Sequence, residues 1–321
     1  MRQFFDPFLI GITLCVALAY FLPELAVSNS GEILDGIAST GIALIFFFYG
    51  VKLKFHQIKT DLNNWKLHVT VQSITFVIFP LILLLVYGLI PLEDYYNFWL
   101  GFFFLAVLPS TVSSSVVMVG LAKGNLSAAI FNASISGLIG LILTPLWLSI
   151  FISDSETTYS LSQIYTQLLV EILLPVIIGL MLNRYLGKWA ARHTFLLSWF
   201  DKSIILLIIY KSFARSFESN LFSSVSFLSL VWVGVGVLFL FLLINFISKY
   251  ISKLFNFSIE DQITAQFCGT KKSLVHGSVF AKILLPASLP LGIILLPIML
   301  YHALQLFVIS FLANTYARRI K

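Results

Sequence analysis

Apolar runs of bilayer-crossing length, about 20 residues, follow one another along nearly the whole chain, separated by short polar breaks. The pattern predicts spans at 4–22, 33–51, 67–90, 96–121, 125–152, 161–186, 200–217, 225–248, 261–284 and 289–314. Ten such helices make an all-α polytopic membrane protein, and the connections leave no room for a soluble domain. The spans divide into two sets of five, 1–155 and 156–321, and an odd number per set starts the second set on the opposite side of the membrane from the first. The halves are therefore expected to be inverted repeats. Secondary transporters use that architecture, with sites near the midplane where paired helices are interrupted.

Composition sharpens the class. Of the 321 residues 59% are hydrophobic and 11% charged, against about 25% charged in soluble domains. The net charge of +6 comes from residues flanking the spans, so it reports topology, and nucleic acid is not an expected partner. With the N terminus inside, fifteen of the twenty lysines and arginines fall on the inner face. Three (Lys211, Arg215 and Lys282) fall on the outer face, and Lys271 and Lys272 lie at membrane depth. This bias predicts cytoplasmic termini in a bacterial inner membrane or a plasma membrane. Glu93, Asp94, Asp154, Glu156 and Glu218 mark the outer side, and Lys52, Lys54, Lys59 and Lys66 form an inner patch suited to anionic membrane lipid. The first run, after Arg2, is read as a retained span rather than a cleaved leader. Cys15 and Cys268 lie in apolar segments, as buried thiols do. Oligomeric state is left open.

Candidate chemistry concentrates in two stretches. Cys268-Gly269-Thr270-Lys271-Lys272-Ser273 puts two ammonium groups in the ninth span, where each costs about 2.5–3.5 kcal/mol unless partnered. Glycine and threonine before them suggest a helix that opens inside a protein-lined cavity, with Gly269 at the opening. The alternative is two lysines reaching an interface. The fourth span, at the matching place in the other half, carries Leu108-Pro109-Ser110-Thr111-Val112-Ser113-Ser114-Ser115, a proline that removes a donor followed by hydroxyls. A simple proline kink is the alternative there. Successive helical residues diverge by roughly 100°, so one lysine faces the crossover and the other the cavity unless the segment unwinds. Asn132, Ser136 and Gly140 form one stripe on the fifth span, which serves either the crossover or helix packing. Glu171, mid-span before Pro175, either meets a lysine, binds a proton, lines the cavity or is a structural carboxyl. His276, His302 and Gln305 are secondary candidates.

At these residues the chain resembles the bile acid:sodium symporter family, in its divergent symporter-like branch of bacteria and vertebrates. The resemblance rests on Leu108–Ser115, Leu121-Ala122-Lys123-Gly124-Asn125, Leu143-Thr144-Pro145-Leu146 and Cys268–Ser273 with Gly277, and it covers essentially the whole chain. It implies ten helices in two inverted five-helix repeats, a panel domain of helices 1, 2, 6 and 7, and a core domain of helices 3–5 and 8–10. It also implies broken, crossing helices 4 and 9 near two sodium sites, with an organic anion bound between the domains. Ser114 and Ser115 agree with that pattern, as does Gln72 or Thr75 on helix 3. The acidic sodium ligand of better-known members falls on or near Phe267, however, and their helix-9 glutamine near Lys271. Ala129 and Ala133 stand where helix 5 would offer hydroxyls.

An ammonium has no acceptor and repels a cation, by roughly 4 kcal/mol at 4 Å and an effective dielectric of 20. The expectation is therefore a secondary active transporter of a small organic anion working by alternating access, with Lys271 standing in for one sodium ion. That lysine acts either as a permanent cation or as the group that exchanges a proton. Sodium or a proton is the coupling ion, and no other cofactor is expected. The site is expected to draw on Gln72, Thr75, Ser110, Thr111, Ser113, Ser114, Ser115, Asn132, Ser136, Glu171, Gly269, Thr270, Lys271, Lys272 and Ser273. A residual sodium site is expected at Ser114, Ser115 and Asn132. The alternative is a membrane regulator or scaffold that kept the fold, lost transport and influences ion handling. No nucleophile–base pair or metal set suggests an enzyme, and no phosphate-binding loop suggests an ATP-driven pump.

Overall fold

Hydrocarbon offers backbone amides and carbonyls no water, so runs of Leu, Ile, Val and Phe satisfy them by coiling. The computed structural model describes residues 7–27, 29–53, 64–89, 95–152, 166, 169–220, 225–286 and 288–318, and no strand occurs among them. The main helices are α1 (Pro7–Phe21), α2 (Asn29–Lys52), α3 (Trp65–Leu89), α4 (Tyr96–Val107), α5 (Ser113–Leu121), α6 (Leu126–Ile152), α7 (Leu169–Arg192), α8 (Thr194–Glu218), α9 (Phe227–Leu254), α10 (Ile259–Thr270), α11 (Leu274–Leu284) and α12 (Leu291–Ala317).

Six of them, α2, α3, α6, α7, α9 and α12, are long and apolar enough to cross a membrane. The predicted spans 96–121 and 261–284 are each two shorter helices, α4 with α5 and α10 with α11. The predicted span 200–217 belongs to a 25-residue helix, α8, whose apolar run is broken by Asp201, Lys202, Lys211 and Arg215. Glu93, Asp94, Asp154, Glu156, Lys54, Lys59 and the 155/156 boundary between the expected halves lie outside the described residues.

Two compact units are present. The first comprises 1–53, 149–225 and 278–293, with α1 packed on α8 and α2 on α7. Gly50 and Gly179 let α2 and α7 touch backbone to backbone: a Cβ at Gly50 would land on the Val176 carbonyl, and one at Gly179 on that of Phe47. Asp35 of α2 holds Lys211 Nζ at 2.7 Å and Arg215 Nη2 at 3.0 Å, both from α8, while its carbonyl accepts from Lys282 Nζ at 3.2 Å. The three basic residues expected on the outer face thus converge on one aspartate.

The second unit comprises 54–148, 226–277 and 294–321. Here α10 packs against α9, α3 and α5, and α3 against α4. Ser226 and Ser258 cap α9 and α10, accepting from Ser229 N and Asp261 N, the usual service of a serine to orphan amides. Two features of this unit shape the site: a π turn, Ile74–Ile78, inside α3, and the meeting of two interrupted helices; the first unit has a π turn of its own, Leu169–Leu173, at the start of α7.

Candidate functional site at two opened helices

Proline placement explains why this region offers free carbonyls. In α3 the amide of Phe79 bonds to Ile74 O rather than to Thr75 O, the shift that defines a π turn. Pro80 has no amide to give. The carbonyls of Thr75 and Phe76 are thereby released. Phe76 O accepts from Trp147 Nε1 at 2.9 Å, and Thr75 O accepts from Lys272 Nζ at 2.7 Å.

Pro109 has the same effect on the fourth span. The chain leaves α4 at Leu108 (φ −72°, ψ 151°), and four consecutive carbonyls find partners outside any helix. Ala106 O and Leu108 O accept from Lys272 Nζ at 2.6 and 2.8 Å, Val107 O from Thr144 Oγ1 at 2.7 Å, and Pro109 O from Ser273 N at 2.9 Å. Ser110 N donates to Ser136 Oγ at 2.9 Å, and Ser110 Oγ donates to Cys268 O at 2.6 Å. The polar stripe on α6 runs beneath this opened stretch: Ser136 bonds it, Gly140 admits Pro109, whose ring lies 2.9 Å from where a Cβ would sit, and Thr144 closes it.

In the ninth span α10 runs through Gly269 to Thr270 and opens at Lys271 (φ −81°, ψ 144°). Gly269 is therefore not the opening. It serves close approach, since a Cβ there would sit 3.2 Å from Ile74 of the π turn. The freed backbone is again satisfied by side chains. Thr270 O accepts from Tyr301 OH at 2.6 Å, while Lys272 N donates to Gln305 Oε1 and Lys272 O accepts from Gln305 Nε2, both at 2.8 Å. This meets the demand that buried irregular backbone be partnered.

Extended backbone turns successive side chains to opposite sides, and so it separates the two lysines. Lys272, fully buried, spends its three ammonium donors on Thr75 O, Ala106 O and Leu108 O, with the Phe79 ring centroid 4.1 Å away. Backbone oxygens and an aromatic face are the partners a desolvated cation needs. Lys271, equally buried, has one acceptor among the described residues, Ser114 O at 2.7 Å. It reaches the first turn of α5, where Thr111 Oγ1 bonds the hydroxyls of both Ser114 and Ser115 at 2.8 Å. The sequence points to Lys271 as the lysine held by opened-helix carbonyls; the ammonium with three backbone acceptors is that of Lys272, and the helix opens at Lys271, two residues beyond Gly269.

The remaining candidates divide. Thr75 Oγ1 bonds Val71 O at 2.9 Å and Gly269 O at 3.4 Å, and Thr270 Oγ1 bonds Gln266 O. Ser273 Oγ meets His276 Nδ1 at 2.9 Å. Ser113 opens α5, and its side chain lies outside the described residues. Asn132 spends its amide on His68 Nδ1, Ala128 O and Gln72, and no hydrogen bond among the described residues joins it to Ser114 or Ser115, so the three do not form the expected cluster. Gln72 Oε1 is buried without a hydrogen-bond partner among the described residues. Glu171 belongs to the first unit, where it acts electrostatically on Lys282. Phe79, Tyr301 and Ala106 are not among the sequence candidates. Pro80 in the third span was the signal that a carbonyl would be freed there.

The profile of the SBF-like CPA transporter family (DUF4137) matches residues 6–318. An uncharacterised protein of Pseudomonas aeruginosa is 36% identical over 316 residues, 98% of this chain and 93% of that one. YfeH of Escherichia coli (strain K12), a symporter by its name alone, is 32% identical, covering 98% and 93%. Sodium/bile acid cotransporter 7 of Xenopus tropicalis is 32% identical, covering 96% and 90%. This is an integral membrane protein, and with a profile match and relatives that run essentially end to end, the chain belongs to the SBF-like CPA transporter family.

Proposed function

We propose that this protein is a secondary active transporter of a small organic anion. In this reading Lys272 permanently fills the place of one coupling cation and Lys271 contacts the anion. The carrying observation is the division of labour between two adjacent buried lysines: one ammonium is saturated by three backbone carbonyls and a ring, and the other holds a single carbonyl beside three hydroxyls at a helix start. A saturated ammonium satisfies opened-helix carbonyls as a bound ion would. An unsaturated one, near the positive end of α5, is suited to a carboxylate or similar anion. Sodium or a proton remains as the coupling ion, and Gln72 Oε1 is an acceptor still available to it.

Counting α4–α5 and α10–α11 as one crossing each gives ten crossings, one interruption in each half, and this supports the inverted-repeat reading. The first unit holds α1, α2, α7 and α8, and the second holds α3–α5 and α9–α10, which supports the panel and core division, although 278–284 of α11, expected in the core, falls in the first unit. The basic bias supports cytoplasmic termini in a bacterial inner or plasma membrane.

The test uses purified protein in liposomes and a panel of small carboxylates and sulfonates. At least one anion is expected to raise Tm and to be taken up in a sodium- or pH-dependent way, and Lys271→Gln is expected to abolish both effects. Uptake and stabilisation that persist in Lys271→Gln at every pH would remove the assignment.

A further inference from the structure

We infer that the turn joining α7 to α8 is a binding surface for anionic phospholipid headgroups. The turn is a single residue, His193, between Arg192 and Thr194. Residues 184–202 carry four cations, Arg184, Lys188, Arg192 and Lys202, and one carboxylate, Asp201, which is already paired with Lys52 at 3.6 Å. Among the described residues no ion pair balances the four cations of this face.

The aromatic side chains of the turn say what kind of anion fits. The Arg184 guanidinium lies 4.5 Å from the centroid of Tyr185, and Lys202 Nζ lies 5.2 Å from that of Trp199 and 5.6 Å from that of Phe8. Trp189 stacks on His193 at 4.8 Å. Rings with one polar edge, held against cations, sit well where acyl chains give way to headgroups. The tip is apolar: Phe195 is 77% exposed and Leu196 59%. A soluble phosphate would leave those side chains in water, whereas a lipid leaflet buries them as the cations meet its phosphates. The one occupant that matches both charge and apolar tip is an anionic lipid.

The experiment compares the full-length protein in nanodiscs of phosphatidylcholine and of phosphatidylglycerol. Wild type is expected to melt about 5 °C or more higher in the anionic discs, with the difference shrinking as salt screens it. Replacing Arg184, Lys188, Arg192 and Lys202 together by glutamine should remove most of that difference. A control carrying Lys249→Gln and Lys253→Gln at the end of α9 should keep it. Should the fourfold variant fail to fold, Arg192→Gln alone should still reduce the shift. Equal melting of wild type in the two discs, a shift that survives the fourfold variant, or full reproduction of the shift by glycerol phosphate added to phosphatidylcholine discs would each overturn the inference.

Discussion

Gln305 grips the opened backbone of Lys272 from both sides, its Oε1 accepting from Lys272 N and its Nε2 donating to Lys272 O, each at 2.8 Å. This amide pair replaces the two helix bonds that Lys272 gives up, at a fully buried position. Gln305→Leu would leave a buried N–H and a buried C=O without partners, at about 1–3 kcal/mol each. We expect a drop in Tm well beyond that of a lipid-facing substitution, read by thermal unfolding in nanodiscs. Gln305→Glu should also destabilise, because a carboxylate offers no donor to Lys272 O. A Tm unchanged in both variants would mean the grip contributes nothing.

Lys272→Ala removes the donor to Thr75 O, Ala106 O and Leu108 O together. Orphaned carbonyls of this kind should cost about 3–5 kcal/mol in sum. The informative readout is the salt. If the ammonium stands where a cation would, the emptied site should accept one, so the Tm of the variant should rise in sodium chloride relative to N-methylglucamine chloride more than that of wild type does. An identical sodium response in both proteins counts against cation replacement while leaving the structural role of Lys272 intact.

The neighbouring lysine should behave differently. Lys271 makes one bond, to Ser114 O, worth about 1.5–3 kcal/mol as a charge-assisted contact, and its removal also relieves the burial of a charge. Lys271→Gln should therefore leave the unfolding free energy within about 1 kcal/mol of wild type while removing anion-dependent stabilisation. Lys272→Ala should show the opposite pattern, large in stability and indirect in binding. Equal loss of stability in the two variants would contradict the division of roles.

Much of the architecture was visible in the chain because its causes are local. Apolar run lengths gave the helices, and Pro109 with the hydroxyls after it gave the first interruption. Lys271 and Lys272 at membrane depth gave the second. The register of that opening was not visible, because it is decided by partners far away in sequence: Tyr301 takes Thr270 O and Gln305 takes Lys272, and a shift of one residue exchanges the two lysines. The π turn at Ile74–Ile78 reads as ordinary apolar helix. Only Pro80 hints at it, and the role of Phe79 as an aromatic wall depends on where a lysine from another span arrives. Asp35 likewise gave no sign that it would collect Lys211, Arg215 and Lys282.

Gly269 ties that π turn to α10. A Cβ at Gly269 would stand 3.2–3.4 Å from Cγ2, Cβ and Cδ1 of Ile74, so Gly269→Ala requires Ile74 to give by a few tenths of an ångström, beside the approach of Thr75 Oγ1 to Gly269 O at 3.4 Å. The expected cost is about 1–3 kcal/mol, the range for overpacking a filled core. Ile74→Val trims the Cδ1 contact, so the double variant should recover part of the loss. A double variant less stable than either single variant would show that Ile74 is not the obstacle.

Asp35 offers a prediction away from the opened helices. Lys211 is 5% exposed, and its ammonium bonds Gly31 O and the Asp35 carboxylate, which also holds Arg215. Lys282 meets the Asp35 carbonyl and Ser39 Oγ beside them. Asp35→Asn would therefore leave three cations gathered around a neutral amide, with Lys211 too deep to reach water. Breaking a pair whose lysine partner is buried costs about 3–5 kcal/mol, and the partial exposure of Asp35 places this one at or below the lower end. Removing the stranded cation as well should restore stability, so Asp35→Asn with Lys211→Met is expected to melt above Asp35→Asn alone, a coupling that a double-mutant cycle measures directly. Strictly additive losses would mean that Lys211 finds another anion when Asp35 is neutral, and Glu171, which already acts electrostatically on Lys282, would then be the carboxylate to substitute next.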